Sequence, residues 1–590
     1  MKQFFKTLFA STLGVLFAIG ILFFVGMFSL IGIAASSGNS AIYTPNKNSV
    51  LKLNLNGSIA EQAVENPFAQ LMGETAQEMS LENIIKAIRK AKNHPDIKGI
   101  YIESGFFSGG MASLEAISRE LIDFKKSDKF IIAYGDMYTQ GGYYISSVAD
   151  SVFVNPQGSI NLIGLASQGM FFTGLTEKLG IEHYIFKVGT YKSAVEPFFL
   201  KKFSDANREQ LNSFLGSAWK KITGDIKESR NITTADLDRY LNEGVANDEA
   251  QKTIDFKLAD GLRYRYEVEN TIKAMAGQEG DEKLKTADFN KVSTIESKEK
   301  VYDDKVAVLY AEGEINVDMP MNPLTGGGKV ISEKMAAELR KLKDDDQVKA
   351  VVFRVNSPGG SAYISEQIWK EVVELKARKP IVVSMGDYAA SGGYYISCAA
   401  NRIFAEHTTL TGSIGVFGVV RNLAGTMEKI GISTDMVKTN TYADLGDMSR
   451  PMREDEKALI QRGVERTYDL FLTRVSEGRG KTKAEIDSIG QGRVWTGEQA
   501  LERGLVDELG GIDDAVKAAA ELAKLDKYTL TVAGGPKDFF TELLEKQMED
   551  MKVRVVKSAL GENYTLFNRI EQAKSINGIV ARMPYTVEGF

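Results

Sequence analysis

Cysteine and histidine are scarce in this chain of 590 residues, and their scarcity limits its chemistry. The one cysteine, Cys398, has no partner for an internal disulfide and cannot form a cysteine-based zinc site. The histidines are His94, His183 and His407, so few residues could act as a histidine base. Basic residues are not in excess either, because 72 Lys and Arg stand against 78 Asp and Glu. A nucleic-acid-binding domain carries a basic surface, and we therefore expect no nucleic-acid partner.

Long hydrophobic runs are also few, and one stretch alone has the length to cross a membrane. It extends from Thr7 to Ser37 without a charged residue and exceeds the ~20 residues that span a bilayer core. Lys2 and Lys6 precede it, and positive residues tend to stay in the cytoplasm. We predict a cytoplasmic tail (1–6), a transmembrane helix (7–37) and extracytoplasmic domains. The alternative is a cleaved signal peptide, whose apolar region usually has only about 7–15 residues.

An internal repeat organises the rest of the chain. Tyr134–Asp150, "YGDMYTQGGYYISSVAD", aligns with Met385–Asn401, "MGDYAASGGYYISCAAN", at an offset of 251 residues. Gly158–Gly164 matches Gly412–Gly418, and the alignment returns to the offset of 251 from Glu177 onwards. We predict two tandem copies of one fold, a polar linker and a helical tail, with the boundaries 38–276, 277–304, 305–535 and 536–590.

Each copy is predicted to have an α/β fold. Short apolar runs such as Ala350–Val355 and Ile381–Met385 are typical of buried parallel strands, and helical patterns separate them. After each core, a stretch with mostly helical patterns follows, at Lys201–Asp260 and Asp447–Asp507. Gly-rich turns come after the strands, where α/β folds usually place their chemistry.

One of those turns contains a candidate nucleophile, Ser391, in the sequence "ASGGYY". A strand is predicted to end before it and a helix to begin near it, and free backbone N–H groups at such a junction favour developing negative charge. The N–H of Gly392 is a candidate oxyanion donor, because the residue after the nucleophile often serves in this way. "NSPGGS" (Asn356–Ser361) could offer donors to the same carbonyl. The simpler interpretations are a helix cap at Ser391 and a tight turn at Asn356–Ser361.

A serine nucleophile needs a base, and the sequence offers two kinds. His407 lies in the second copy, 16 residues after Ser391, and is the one plausible histidine. Lysine is the other option, since Ser-Lys pairs replace the triad in some hydrolases, provided that burial keeps the amine neutral. Lys192 lies in "VGTYKSAVEPFF", among strand-like, small and apolar residues, although most lysines are simply solvated at the surface.

The repeat favours the lysine. Lys192 aligns with Ala443 in the second copy, and Ser391 aligns with Gln140 in the first. Each copy therefore has one half of a dyad and lacks the other. This pattern predicts one composite site, with the base from the first copy and the nucleophile from the second.

With these motifs, the chain resembles the long, two-domain form of the signal peptide peptidase A (protease IV) family. The resemblance rests on "NSPGGS", "ASGGYY", "TGSIGV" and "GTYKSA", and covers nearly the whole chain. It implies tandem domains with a fold like that of Clp protease and crotonase. It also implies a homotetramer on the periplasmic side of the inner membrane, where hydrophobic fragments of cleaved signal peptides are the substrate.

The resemblance also assigns roles to residues. It places the nucleophile at Ser391, the lysine base at Lys192 and a supporting serine at Ser413. It places the oxyanion hole at the backbone of Gly392 and Gly360. It implies acyl transfer without a metal or an organic cofactor.

Two other functions stay open at this point. A crotonase-like acyl-CoA enzyme would also use a two-loop oxyanion hole, but it would need a carboxylate base and basic groups for the nucleotide phosphates. A catalytically inactive, membrane-tethered scaffold would use the repeat for assembly, and Gln140 and Ala443 show that the repeat tolerates the loss of site residues.

Overall fold

The computed structural model describes residues 43–62, 78–280, 283–296, 300–317, 329–534 and 578–582, together with the isolated positions 14 and 21. Apart from those two positions, the predicted transmembrane helix (7–37) lies outside these ranges, as does the predicted helical tail (536–590) except for residues 578–582. Within the described part of the chain, no helix has both the length and the apolar character needed to cross a membrane.

The first repeat is built on a parallel sheet with helices packed against it, which agrees with the predicted α/β class. The strands are β1 (Ser49–Ala60), β2 (Glu78–Ser80), β3 (Ile97–Ser108), β4 (Phe130–Tyr138), β5 (Ser151–Ile160), β6 (Glu182–Val188), β7 (Gly261–Leu262) and β8 (Thr286–Asp288). The sheet has the order β2-β1-β3-β4-β5-β7, and β8 also pairs with β1. Most residues of β3 are buried, as expected of a strand covered on both faces.

Helices connect these strands and form the predicted helical stretch after the core. They are α1 (Leu81–Asn93), α2 (Met111–Lys125), α3 (Gln140–Ser146), α4 (Thr173–Leu179), α5 (Asp205–Arg230), α6 (Thr234–Asn242), α7 (Gln251–Asp255), α8 (Arg265–Ala276) and α9 (Phe289–Ser293). The long helix α5 also reaches the second repeat, where its Leu211 and Phe214 pack with Ala390 and Leu410.

The second repeat has the same plan. Its strands are β9 (Lys305–Glu312), β10 (Glu314–Ile315), β11 (Val330–Ile331), β12 (Val348–Ser357), β13 (Gly359–Ser361), β14 (Ile381–Ala390), β15 (Arg402–Ala405), β16 (Leu410–Gly412), β17 (Val416–Asn422), β18 (Val494–Thr496), β19 (Glu508–Leu509) and β20 (Thr529–Ala533). Its helices are α10 (Lys334–Asp344), α11 (Ala362–Lys376), α12 (Gly392–Ser397), α13 (Ala424–Lys429), α14 (Glu454–Arg479), α15 (Lys483–Ile489), α16 (Gly497–Glu502) and α17 (Ile512–Leu522). The main sheet has the order β18-β16-β14-β12-β9-β20.

A further sheet joins the two repeats. A last strand, β21 (Gly578–Arg582), comes from the C-terminal tail, and the sheet has the order β11-β10-β13-β21-β17-β6. In it, β6 of the first repeat pairs antiparallel with β17 of the second, from Val188 opposite Val416 to Glu182 opposite Asn422. The repeats are therefore interlocked through backbone hydrogen bonds.

Buried polar contacts fix the orientation of the repeats further. The carboxylate of Glu61, in the first repeat, lies 2.8 Å from the guanidinium of Arg354, in the second, and both side chains are about 5% exposed or less. The carboxylate of Asp387 accepts hydrogen bonds from the backbone N–H and the hydroxyl of Ser113, at 2.9 and 2.7 Å. Because breaking a buried ion pair costs about 3–5 kcal/mol, these contacts resist sliding of one repeat on the other.

Regular secondary structure lies within the predicted linker between the repeats. Part of the predicted linker (277–304) forms β8 and α9, which belong to the first repeat. Ala287 is buried in the ladder with β1, and Phe289 and Val292 pack into the first hydrophobic core. The composition of this stretch is polar, yet three of its apolar side chains join the core of the first repeat.

Candidate active site

Ser391 lies at a strained turn between β14 and α12. Its φ of 55° and ψ of −112° are unusual for a residue other than glycine, and such backbone strain costs about 1–3 kcal/mol. The backbone N–H of Ser391 donates to the carbonyl of Gly412 at 2.8 Å, and its side chain is fully buried. A sharp strand-to-helix turn of this kind presents a hydroxyl in a fixed direction.

Lys192 reaches this hydroxyl from the other repeat. Its Nζ lies 2.8 Å from Ser391 Oγ, 3.1 Å from Ser413 Oγ and 3.3 Å from the Ser413 carbonyl oxygen. The pairing of β6 with β17 explains the approach, because Lys192 follows β6 and Ser413 precedes β17. The structure thus brings together the three side chains that the resemblance implied.

The environment of the lysine favours a neutral amine. Lys192 is completely buried, and burial lowers the pKa of its ammonium group well below the usual value of 10.5. The aromatic ring of Phe417 lies 5.9 Å from Nζ. The hydrogen-bond partners described for the amine are two hydroxyls and a carbonyl, so none of them adds a negative charge that would hold the proton.

A loop of the second repeat holds the lysine backbone, and sequence reasoning missed it. The N–H of Tyr191 donates to the Gln491 carbonyl at 2.8 Å, and the N–H of Gly492 donates to the Ile414 carbonyl at 2.7 Å. Gly492 has a φ of +78°, and a Cβ atom there would lie 2.7 Å from the Cβ of Lys192. Only glycine fits this position, yet the isolated "GQGR" sequence gives no sign of its partner, 300 residues earlier.

The candidate oxyanion donors lie on two neighbouring elements. Gly392 is the first residue of α12, and Gly360 is on β13, which contacts α12. Gly360 has a φ of +153°, and a Cβ atom there would lie 1.9 Å from the Ile315 carbonyl oxygen. A side chain at position 360 would therefore collide with β10, so this close approach of the two backbones requires glycine.

The histidine candidate lies elsewhere. Nδ1 of His407 lies 2.5 Å from a carboxylate oxygen of Glu115, in the first repeat, and this contact raises the pKa of the imidazole. His407 therefore takes part in the contact between repeats rather than in a pair with Ser391. His183 lies on β6, where burial lowers its pKa to about 4.

The repeat positions that lack site residues differ in their surroundings. The side-chain oxygen of Gln140, the counterpart of Ser391, accepts hydrogen bonds from the N–H groups of Ile163 and Gly164 at 3.1 and 2.8 Å. Ala443, the counterpart of Lys192, lies on an exposed segment. The described residues thus hold one complete serine–lysine pair.

Comparisons with known proteins show the family of the chain. The sequence model described as "Peptidase family S49" matches residues 123–279 and 373–526, one segment in each repeat. The protein named "Protease 4" from Salmonella typhi is 39% identical, over 78% of this chain and 75% of its own. "Protease 4" from Haemophilus influenzae is 36% identical over 83% and 82%, respectively. "Serine protease SPPA, chloroplastic" from Arabidopsis thaliana is 32% identical over 91% and 78%.

Among solved structures, a ClpP1 mutant from Listeria monocytogenes covers 35% of this chain with a TM-score of 0.24 and 15% identity. Family membership rests instead on the matches in sequence, which span both repeats and most of each relative. The chain belongs to peptidase family S49 and is a serine protease.

Proposed function

We propose that this protein is a membrane-anchored endopeptidase that degrades cleaved signal peptides with a Ser391–Lys192 dyad. The observation that carries the proposal is the distance of 2.8 Å between a fully buried lysine amine and a fully buried serine hydroxyl from different repeats. Membership of a peptidase family disfavours the acyl-CoA alternative. An inactive scaffold would have no need of a strained serine and a desolvated lysine in contact.

The first chemical step transfers a proton. The neutral amine of Lys192 removes the proton of Ser391 Oγ as this oxygen attacks a peptide carbonyl carbon. Ser413 holds the amine through its hydroxyl and carbonyl, which directs the lone pair towards Ser391. The negative charge that develops on the carbonyl oxygen is stabilised by the N–H groups of Gly392 and Gly360.

The second step completes hydrolysis. The Lys192 ammonium gives its proton to the leaving amine, the C–N bond breaks, and an acyl-enzyme remains on Ser391. Lys192, neutral again, then activates a water molecule that releases the acid product. No residue other than those of the dyad and its supports needs to change its protonation state.

Two features support hydrophobic peptides at a membrane as the substrate. A relative named "Putative signal peptide peptidase SppA", from Enterococcus faecium, is 34% identical over 41% of this chain. The apolar run 7–37 would hold the catalytic domains at the extracytoplasmic face of the inner membrane, where such fragments are left. Flotation with vesicles should be lost when residues 1–42 are removed, and flotation of the shortened chain would contradict the anchor.

The repeat also supports head-to-tail assembly. The counterparts of β6 and β17 are residues 433–439 and 162–168, at offsets of 251 and 254. Residues 431–443 are exposed and lie outside any helix or strand, and Val437 is 99% exposed. Ile163, at the other position, is 60% exposed. We propose that residues 433–439 of one copy pair with residues 162–168 of the next, in a ring of four as in the family that the chain resembles.

The substitution Val437→Asp tests this assembly. A charge within the proposed ladder should lower the mass of the full chain in detergent from that of a tetramer to that of a monomer, as measured by native mass spectrometry. Val301→Asp, at another highly exposed valine (84%), is the control and should leave the tetramer intact. A monomeric unaltered chain, or a tetramer that survives Val437→Asp, would contradict the proposal.

The pH dependence of the reaction tests the lysine base. Below its lowered pKa, Lys192 is protonated and cannot accept the serine proton. We therefore expect log kcat/KM to rise with a slope of about one as the pH increases, and to level off well below the pH at which an ordinary lysine (pKa ~10.4) titrates. Lys192→Arg should be inactive because a guanidinium does not lose its proton, whereas Lys202→Arg, at an exposed position, should not change the profile. A rise of kcat/KM only near pH 10 would contradict the assignment of Lys192 as the base.

Peptides of equal length test the substrate class. The full chain in detergent should cleave a fluorogenic leucine-rich peptide faster than a charged one, and Ser391→Ala should reduce both rates by at least about a thousandfold. Ser488→Ala, at an exposed serine, is the control. Equal rates on both peptides would contradict the preference for hydrophobic substrates. An active Ser391→Ala chain would contradict the assignment of Ser391 as the nucleophile.

A further inference from the structure

Gln210 is a buried residue of α5 whose side chain contacts the polypeptide on both sides of Lys192. Its Nε2 donates hydrogen bonds to the carbonyl of Tyr191 and to Oγ of Ser193, each at 2.9 Å. Gln210 is 0% exposed and Ser193 is 3% exposed. Because a buried amide is costly unless it is hydrogen-bonded, these contacts hold the two residues that flank the lysine.

The other end of the same amide contacts the second repeat. Oε1 of Gln210 accepts a hydrogen bond from the backbone N–H of Val494, at 3.2 Å. Val494 is the first residue of β18 and is also completely buried. These partners fix the orientation of the amide, because a flipped amide would set its oxygen against the carbonyl of Tyr191.

The strand β18 leads from this contact to the serines of the site. It pairs antiparallel with β16, and Val494 lies opposite Gly412. The carbonyl of Gly412 accepts the hydrogen bond from the N–H of Ser391, at 2.8 Å. The N–H of Ser413 donates to the carbonyl of Arg493, the residue before β18, at 2.7 Å. The strand that the glutamine contacts therefore supports both serines.

A buried network anchors Gln210 in turn. Its Nε2 lies 3.4 Å from Oδ1 of Asn207, and Nδ2 of Asn207 donates to the carboxylate of Glu196 at 2.8 Å. Glu196 also accepts a hydrogen bond from the hydroxyl of Ser204, the residue that caps the start of α5. Since each member of this network is hydrogen-bonded, the amide is held in one position and the bridge has a fixed length.

Proton transfer at the site needs such a bridge. The base and the nucleophile belong to different repeats, and residues 189–195, which include Lys192, lie outside any helix or strand. Regular secondary structure therefore does not fix the lysine itself. A displacement of about 1 Å between reacting groups can lower a rate about a hundredfold.

We propose that Gln210 is a positioning residue that sets the distance between Lys192 and Ser391 by joining the lysine segment to β18. This inference rests on the proposed Ser391–Lys192 mechanism and adds a residue to it. Gln210 acts through the carbonyl and the hydroxyl next to Lys192. Without the bridge, the lysine segment moves away from the serine and water reaches the amine, which makes the amine more basic.

The substitution Gln210→Met tests this role, since methionine has a similar length and no amide. We expect kcat on the leucine-rich peptide to fall by about a hundredfold with little change in KM. We also expect the rise of log kcat/KM with pH to move to a higher pH, because a hydrated lysine keeps its proton to a higher pH. A residue that only stabilised the fold would lower the melting temperature without moving this profile.

The substitution Gln499→Met is the matched control. Gln499, in α16, also bridges β18 and α5, since its Nε2 donates to Oγ of Ser213 at 3.1 Å and its Oε1 accepts from the N–H of Thr496 at 3.2 Å. These partners lie outside the lysine segment. We expect a lower melting temperature with an unchanged kcat and pH profile. A shift of the pH profile as large as that of Gln210→Met would indicate a general effect of α5 and would overturn the proposal.

The substitution Ser193→Ala covers the case in which Gln210→Met fails to fold. It removes one of the two contacts beside Lys192, so kcat should fall by about three- to tenfold and the pH profile should move in the same direction. If both variants fold, their combined loss should be smaller than the product of the separate losses, because both remove the same contact.

The outcomes separate this inference from the proposed function. An unchanged kcat and pH profile in a folded Gln210→Met chain would overturn the positioning role, and Ser193→Ala decides in the same way if Gln210→Met does not fold. An unaltered chain that hydrolyses no peptide would instead overturn the proposed function.

Discussion

The contact between Lys192 and Ser391 is the constraint on which the rest of the structure depends. A lysine serves as a base near neutral pH only if its ammonium form is destabilised, and burial without a negative partner achieves this. Burial of an amine disfavours folding, so the surrounding structure has to hold it in place. The ladder between β6 and β17, the Gln491–Gly492 loop and the Glu61–Arg354 pair all fix the lysine side of the site against the serine side.

Duplication explains why such a site can be built from two halves. A repeat that pairs with its own copy creates an interface where one face of the first copy meets the opposite face of the second. Lys192 is buried at that interface and its counterpart Ala443 is exposed, whereas Gln140, the counterpart of Ser391, is also buried. The serine and the lysine are therefore kept together where the two repeats meet within the chain, while the corresponding positions in the other repeat carry other residues.

Much of this could be predicted from the sequence, because the repeat supplies an internal alignment. The α/β class, the strand-to-helix turn at Ser391 and the division of lysine and serine between the copies follow from local patterns and that alignment. The contacts of Gly492, Arg354 and β21 could not be predicted, since each joins segments far apart in the chain and leaves no local pattern. The strand β8 and the helix α9 within the predicted linker were not predicted either, because the composition of that stretch is polar and the strand β1, with which β8 pairs, is distant in the chain.

Mixing two inactive chains tests most directly whether the site forms within one molecule. Lys192→Ala and Ser391→Ala chains can be co-expressed with different tags and isolated as mixed assemblies. In this structure, the amine lies 2.8 Å from the hydroxyl of its own chain, so every site in a mixed assembly lacks one half of the dyad. We predict no peptidase activity above that of either variant alone. Activity restored in the mixed assemblies would show that the lysine and serine come from different chains and would contradict this account.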